Sequence, residues 1–213
     1  ILKNGKVNRI YDPSNNNIIF SIYAEGSIYA LDIDVSANNY RINLTTHEKS
    51  NPYVAPNFCM LLRKYLIGAR INKIYTNGLE RIVFIEFECF NEMNDKITRT
   101  LVIELMGKYS NIILLNHENV ILDALKRFDT NVINADERNI MPMRKYILPS
   151  SNKMNIETLS KENFMVICKS QNIHTLDLLL SSTFTGISKL FIQSALDFLK
   201  ISNTVSDKNL EEL

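Results

Sequence analysis

The adjacent pair Glu80-Arg81, set in the turn sequence Asn77-Gly78-Leu79-Glu80-Arg81, is the first place where reactive side chains concentrate. A guanidinium can fork onto a phosphate or a base edge, and a carboxylate beside it can accept from a base amine or a hydroxyl. Neighbours on a strand point to opposite faces, so the two can serve one ligand only where the chain is still turning. An exposed hairpin mouth is the plain structural alternative. Cations also gather just upstream. Between Pro56 and Arg81 stand Arg63, Lys64, Arg70, Lys73 and Arg81 against the single acid Glu80, a local excess of four. Arg63 and Lys64 fall opposite Phe58 and Leu62 in a helical pattern, which makes them a candidate phosphate-contacting face. The same cations would suit a helix C-terminus with no ligand at all. A third cluster, Glu104-Leu105-Met106-Gly107-Lys108-Tyr109-Ser110-Asn111, interrupts two strand-like runs. Its Glu104 has an apolar setting and no neighbouring cation. Lys108, Ser110 and Asn111 offer a positive charge and two neutral hydrogen-bonding groups, a set suited to ribose or phosphate, while a β-bulge or tight corner is the structural alternative.

Other chemistries lack material. Cys59, Cys89 and Cys168 are far apart and unpaired by spacing, as reduced buried thiols would be. His47, His117 and His174 have no HxxxH or HxxE partner, so no metal site is expected. No GxxxxGK[ST], GxGxxG or GxSxG occurs among the six glycines, which removes the common nucleotide and hydrolase classes. With 24 basic and 23 acidic side chains the net charge is +1, so any nucleic-acid site must be local. No apolar run is long enough to span a membrane and the start ILKNGK lacks a signal-peptide layout, so a soluble cytoplasmic protein is expected.

Positioning elements follow from periodicity. Lys6 to Tyr11, Asn17 to Tyr23, Ser27 to Asp34 and Tyr40 to Leu44 read as an antiparallel meander, rich in Ile, Val, Tyr and Phe between Asn- and Gly-bearing turns. Phe58, Leu61, Leu62 and Tyr65 predict a helix opened by Pro56 and stopped by Gly68. Five more runs, Arg70 to Tyr75, Arg81 to Phe90, Ile97 to Met106, Ser110 to Leu115 and Val120 to Leu125, predict strands. Strands flanking one helix imply a sandwich or barrel-like α+β unit. Lys126 to Ser151 loses period and is expected to connect two domains. From Ile156 onward the pattern is helical, with Phe184-Thr185-Gly186-Ile187-Ser188 as a turn between the last two helices.

The clusters above lie in three ordered motifs. Asn51-Pro52, Pro56, Phe58-Cys59-Met60-Leu61-Leu62-Arg63-Lys64-Tyr65-Leu66 with Gly68, then Gly78-Leu79-Glu80-Arg81-Ile82, then Glu104 through Leu114, resemble the N-terminal NFACT domain. This is the family of bacterial RqcH and eukaryotic NEMF, whose bacterial members are often named fibronectin-binding proteins. The likeness runs from about Lys6 to Leu199. It implies an antiparallel β-rich unit with a central helix, similar to the N-terminal domain of formamidopyrimidine-DNA glycosylases, over residues 1–150. An all-α helix-hairpin-helix subdomain is expected over 151–213. The resemblance also implies a non-enzymatic role in ribosome-associated quality control. Such a protein binds tRNA, in bacteria alanyl-tRNA, and the large ribosomal subunit with obstructed peptidyl-tRNA, so that the nascent chain receives a C-terminal alanine tail. Peptide transfer itself belongs to the ribosome.

Residue by residue, the family's Asp-Arg pair for tRNA falls on Glu80 and Arg81, with glutamate one methylene longer. Its Glu-Ile-Met segment falls on Glu104, Leu105 and Met106. Ribosome- or RNA-facing candidates are therefore Arg63, Lys64, Glu104, Leu105, Met106, Lys108 and Asn111, with no cofactor, metal or membrane implied. Ser188 stands where a nucleic-acid-binding hairpin usually has its second glycine, and a serine at positive φ would be costly there. Against the family pattern, the chain is expected to begin inside the first helix and to stop before a coiled coil. Two rival readings remain. A cell-surface fibronectin-binding adhesin follows from the family's older name, against which stand the missing signal peptide and the free cysteines. A DNA-repair enzyme follows from the fold, but the terminal nucleophile of glycosylase chemistry is not present.

Overall fold

The computed structural model describes residues 1–47, 49–129, 138–149 and 153–212. They fall into two compact units, Ile1–Thr76 with Arg81–Leu148, and Asn77–Glu80 with Pro149–Leu213. The expected boundary at 150/151 lies outside the described residues.

The first unit contains strands β1 (Lys6–Ser14), β2 (Asn17–Ala24), β3 (Ser27–Asp34) and β4 (Arg41–Thr45), then helix α1 (Asn57–Leu66). Strands β5 (Arg70–Thr76), β6 (Ile82–Phe90), β7 (Lys96–Glu104), β8 (Asn111–Leu115) and β9 (Ile121–Ala124) follow. All nine join one antiparallel sheet in the order β4-β3-β2-β1-β5-β6-β7-β8-β9. The sandwich or barrel-like expectation thus becomes one continuous ladder of two meanders, joined where Lys6 faces Arg70. Local chemistry sets the turns. Glu25 and Gly26, both at positive φ, make the two-residue link between Ala24 and Ser27 whose twist matches a hairpin.

The sheet must curl. Strands β2 and β6 stand three places apart, about 14 Å in a flat sheet, yet the Phe20 and Phe87 rings stack at 6.2 Å. Helix α1 fills the hollow with Phe58, Cys59, Leu62 and Leu66, against Ile10, Ile22, Leu31, Ile33, Ile85 and Leu101. The second half of β7, from Thr100, and all of β8 are buried on both faces. Leu101, Ile103, Ile112 and Leu114 point to this core, whereas Val102, Ile113 and Leu115 point to a second one with Ile82, Ile121, Ala124 and Ile140. Bridges Phe128↔Ile140 and Val120↔Lys145 hold residues 126–129 and 138–148 over that outer face. The described part of the presumed connector is therefore a cover for the sheet.

The second unit has a 3₁₀ turn at Ile156–Thr158 and helices α2 (Lys161–Ser170), α3 (Leu176–Thr183), α4 (Lys189–Leu199) and α5 (Asp207–Glu212). Cys168, Leu176, Leu179, Phe184, Ile192, Leu196 and Leu210 form its core. The α3–α4 turn corrects one expectation. Ser188 sits at φ −93°, not in the left-handed region, and caps α4 by accepting from Phe191 N at 3.1 Å. Gly186, at φ +71°, lies so close to Leu79 that a Cβ would collide with the leucine's Cβ and carbonyl. Its missing side chain serves packing against the Asn77–Glu80 loop. Leu190, in the first turn of α4, is exposed.

Candidate functional site

Strand β6 begins immediately after Arg81, and the ladder continues one step past its end because Leu105 N donates to Arg81 O at 2.9 Å. That bond fixes the backbone of Arg81 at a corner of the sheet. Its side chain is exposed and is steadied from the β3–β4 connection, where Arg81 Nη1 donates to the Tyr40 hydroxyl at 3.2 Å and the guanidinium lies 6.0 Å from the ring centroid. Tyr40 is itself held by its neighbour. Arg41 bridges Asp34 at 2.9 Å and Asp32 at 3.0 Å, and Lys49 adds a second contact to the buried Asp32 at 2.9 Å. Among the described residues Arg81 has no carboxylate partner. It is a free guanidinium on a fixed base.

Beyond Leu105 the chain makes a tight 3₁₀ turn at Gly107–Tyr109, closed by Met106 N donating to Ser110 Oγ at 2.8 Å. The turn leaves Lys108 and Tyr109 exposed, with the ammonium 4.9 Å from the Tyr109 centroid. Gly107 abuts the Ala37 carbonyl, so this turn and the β3–β4 connection adjoin. Arg81, Tyr40, Lys108 and Tyr109 thus gather at one end of the β6–β7 hairpin. Two cations beside two phenol rings are what a phosphate and an unpaired base require. Glu80, in the second unit, is half-buried, and its N–H donates to Asn77 O at 3.1 Å.

The remaining candidates of this cluster face inward. Glu104 is 1% exposed. Its cation comes from 34 residues away: Arg138 grips both carboxylate oxygens, with Nη1 at 2.9 Å from Oε2, and the Tyr146 hydroxyl donates to Oε1 at 2.8 Å. Burial, and then the Glu104 charge, push the Tyr146 phenol far above its ordinary range. Asn111 is also buried, donating to Lys126 O at 2.7 Å and accepting from Lys126 N and Ile112 N at 2.9 Å. Leu105 packs on the main core and Met106 on the second. Glu104, Leu105, Met106 and Asn111 therefore brace the corner from behind instead of facing RNA, because an intact buried ion pair leaves no charge to offer.

Arg63 and Lys64 do not join Arg81 in one surface. Arg63 is half-buried, its Nε donating to Ile10 O at 2.9 Å. Beside it Asp12 is 3% exposed and neither oxygen has a partner. Burial pushes that carboxyl up to about 6, against the pull of Arg63. Lys64 is exposed, next to Tyr65 whose carbonyl accepts from Arg99 at 3.4 Å. Arg99 pairs with Phe87, six residues along from Arg81, or about 20 Å at strand rise. The local excess of four cations is thus divided between the two ends of β6. All three cysteines are buried, as expected, and burial raises the thiols of Cys59, Cys89 and Cys168. No cluster of metal-ligating side chains occurs among the described residues.

Residues 1–213 match the family described as NFACT N-terminal and middle domains. The chain belongs to this family. It is 32% identical over 203 residues to the Rqc2 homolog RqcH of Bacillus subtilis, covering 95% of this chain and 35% of that protein. Against the archaeal Rqc2 homolog aRqcH of Methanocaldococcus jannaschii it is 31% identical over 220 residues, covering 100% of the chain and 31% of the relative. It therefore spans about a third of the length of these relatives. Among solved structures, the N-terminal domain of the fibronectin-binding protein PavA from Streptococcus pneumoniae matches with a TM-score of 0.81 and 32% identity, covering 93% of this chain and 74% of that one. The fibrinogen-binding protein from Staphylococcus aureus matches with a TM-score of 0.83 and 25% identity, covering 99% and 73%. In this NFACT chain, sequence reasoning missed Tyr40, Arg138 and Tyr146. Nothing in their local pattern marks them, since each acts through a partner that only the folded sheet brings near.

Proposed function

We propose that the chain is the tRNA- and large-ribosomal-subunit-binding part of a ribosome quality control factor, acting in the cytoplasm to support C-terminal alanine tailing of stalled nascent chains. The observation that carries the reading is the Arg81 corner. An unpaired guanidinium, preset by Tyr40 and flanked by Lys108 and Tyr109, suits a phosphate next to an unstacked base. The RqcH, aRqcH and NEMF names of relatives support the setting. The module works by binding, with alanyl-tRNA as its cargo and the obstructed large subunit as its platform, and the ribosome performs peptide transfer. On this reading the sheet unit keeps the likeness to formamidopyrimidine-DNA glycosylases, and the helices a helix-hairpin-helix, without their chemistry. Purification of the native protein from cells, with sequencing of the RNA it carries, tests the proposal. Enrichment of alanine tRNA and large-subunit RNA is expected; absence of both overturns it.

A second reading, binding of an extracellular-matrix protein, is favoured by the fibronectin- and fibrinogen-binding descriptions of the solved neighbours. Cell fractionation separates the two. Travel with large subunits supports the first and travel with the envelope supports the second.

A further inference from the structure

We propose that an open groove at the other end of the β6–β7 hairpin binds an unstacked nucleotide of single-stranded RNA. The inference rests on the RNA-binding reading above, yet it uses none of the residues of the Arg81 corner. The groove, about 440 Å³, lies between the last turn of α1 and the β6–β7 turn and is lined by Lys64, Tyr65, Phe90, Glu92, Met93 and Arg99. Its size falls within the roughly 300–1,000 Å³ of ligand clefts.

Its apolar surface is held in water by design of the turn. Phe90 is 61% and Met93 85% exposed. Asn91 Oδ1 accepts from Met93 N at 3.0 Å and from Asp95 N at 2.8 Å, while its amide donates to the Asp95 carboxylate at 3.0 Å. These bonds order the turn beside Phe90, whose ring stands in water, and the hydrophobic cost of exposing it persists until something covers it. Beside the ring stand two cations with no ion pair among the described residues. Arg99 lies 4.5 Å and Lys64 5.3 Å from the Tyr65 centroid. An exposed aromatic face next to unpaired cations is the arrangement that stacks one base and holds its phosphate. Glu92, also without an ion pair, can accept from a base amino group, which favours cytosine over an occupant that offers only carbonyls. Paired duplex cannot enter, because its bases have no free face.

The chain contains no tryptophan. Phe90→Trp therefore places a single reporter on the stacking platform while keeping an aromatic ring there. Titration with single-stranded hexacytidylate should quench its emission saturably, with the midpoint rising with salt. Lys64→Ala in the same background should raise the midpoint about tenfold, whereas Arg81→Ala should leave it unchanged. On the unsubstituted chain, amide resonances of Lys64, Tyr65 and Asn91 to Met93 should shift with the same oligonucleotide, which guards against a reporter that alters the site. No saturable quenching and no shifts, or equal quenching by duplex of the same length, overturns the groove. Quenching that persists while tRNA fails to co-purify with the native protein condemns only the Arg81 reading; lost quenching beside intact tRNA recruitment condemns only the groove.

Discussion

Glu104, behind the Arg81 corner, and Asp12, beside α1, are both buried carboxylates in the first unit, and the fold treats them oppositely. Glu104 receives a forked guanidinium and a phenol, so its charge is fully answered. Asp12 receives no hydrogen bond at either oxygen and has only the nearby Arg63 charge. A satisfied network fixes one arrangement of its neighbours, whereas an unsatisfied group costs free energy without specifying anything. Rigidity is concentrated on the Glu104 side of this contrast. It stands behind the 104–111 turn, so that Lys108 and Tyr109 project from a fixed base, and a preset site loses less entropy when a ligand arrives.

The largest expected effect comes from breaking the satisfied side. Arg138→Ala leaves the Glu104 charge buried with only Tyr146, and the unit should lose about 3–5 kcal/mol of stability. Denaturant melts give the magnitude, and hydrogen exchange should show protection lost first at 105–111 and retained at 89–99. Uniform loss across both ends would erase the contrast between them.

Relieving the unsatisfied side should act with the opposite sign. The folded-state value of Asp12, about 6, lies above its ordinary 3.8, so the folded chain holds the extra proton between about pH 4 and pH 6. The stability this neutral carboxyl contributes is complete below about pH 4 and is lost as pH rises through 6. Asp12→Asn should therefore stabilise the protein by about 3 kcal/mol at pH 7 and by nothing at pH 3.5. A gain that is equal at both pH values would mean that ionisation is not the cause.

Smallest is the packing of α1 itself. Cys59 lies in the core with its Sγ near Ile10 O at 3.8 Å, and its thiol is raised by burial. Cys59→Ala should cost about 1 kcal/mol through a small cavity and leave RNA binding intact. Rapid labelling of this thiol in the folded chain would show that the α1 seat opens.

Legibility in the sequence divides along the same line. Local rules sufficed for the meanders and for α1, because alternation, turn residues and the Phe58-Leu62 spacing are properties of short segments. The single curled ladder was not legible, since the contact of Phe20 with Phe87 depends on strands far apart in sequence. Arg81 and Lys108 were readable as exposed cations from their turn chemistry. Glu104 was misread because its partner, Arg138, lies in a stretch without period whose described part covers the sheet. Counting charges by sequence window also merged Lys64 with Arg81, although a helix and the strands after it carry the two to opposite ends of a hairpin.

The proposed role of the Arg81 guanidinium is to carry tRNA. Its most direct test is the amount of tRNA that co-purifies with native protein bearing Arg81→Ala, compared with the unsubstituted protein at equal large-subunit association and equal melting temperature. A fall of about tenfold or more is predicted, the loss of one charge-assisted hydrogen bond. Undiminished tRNA on a normally folded Arg81→Ala protein would contradict the account and leave Arg81 as an exposed turn residue.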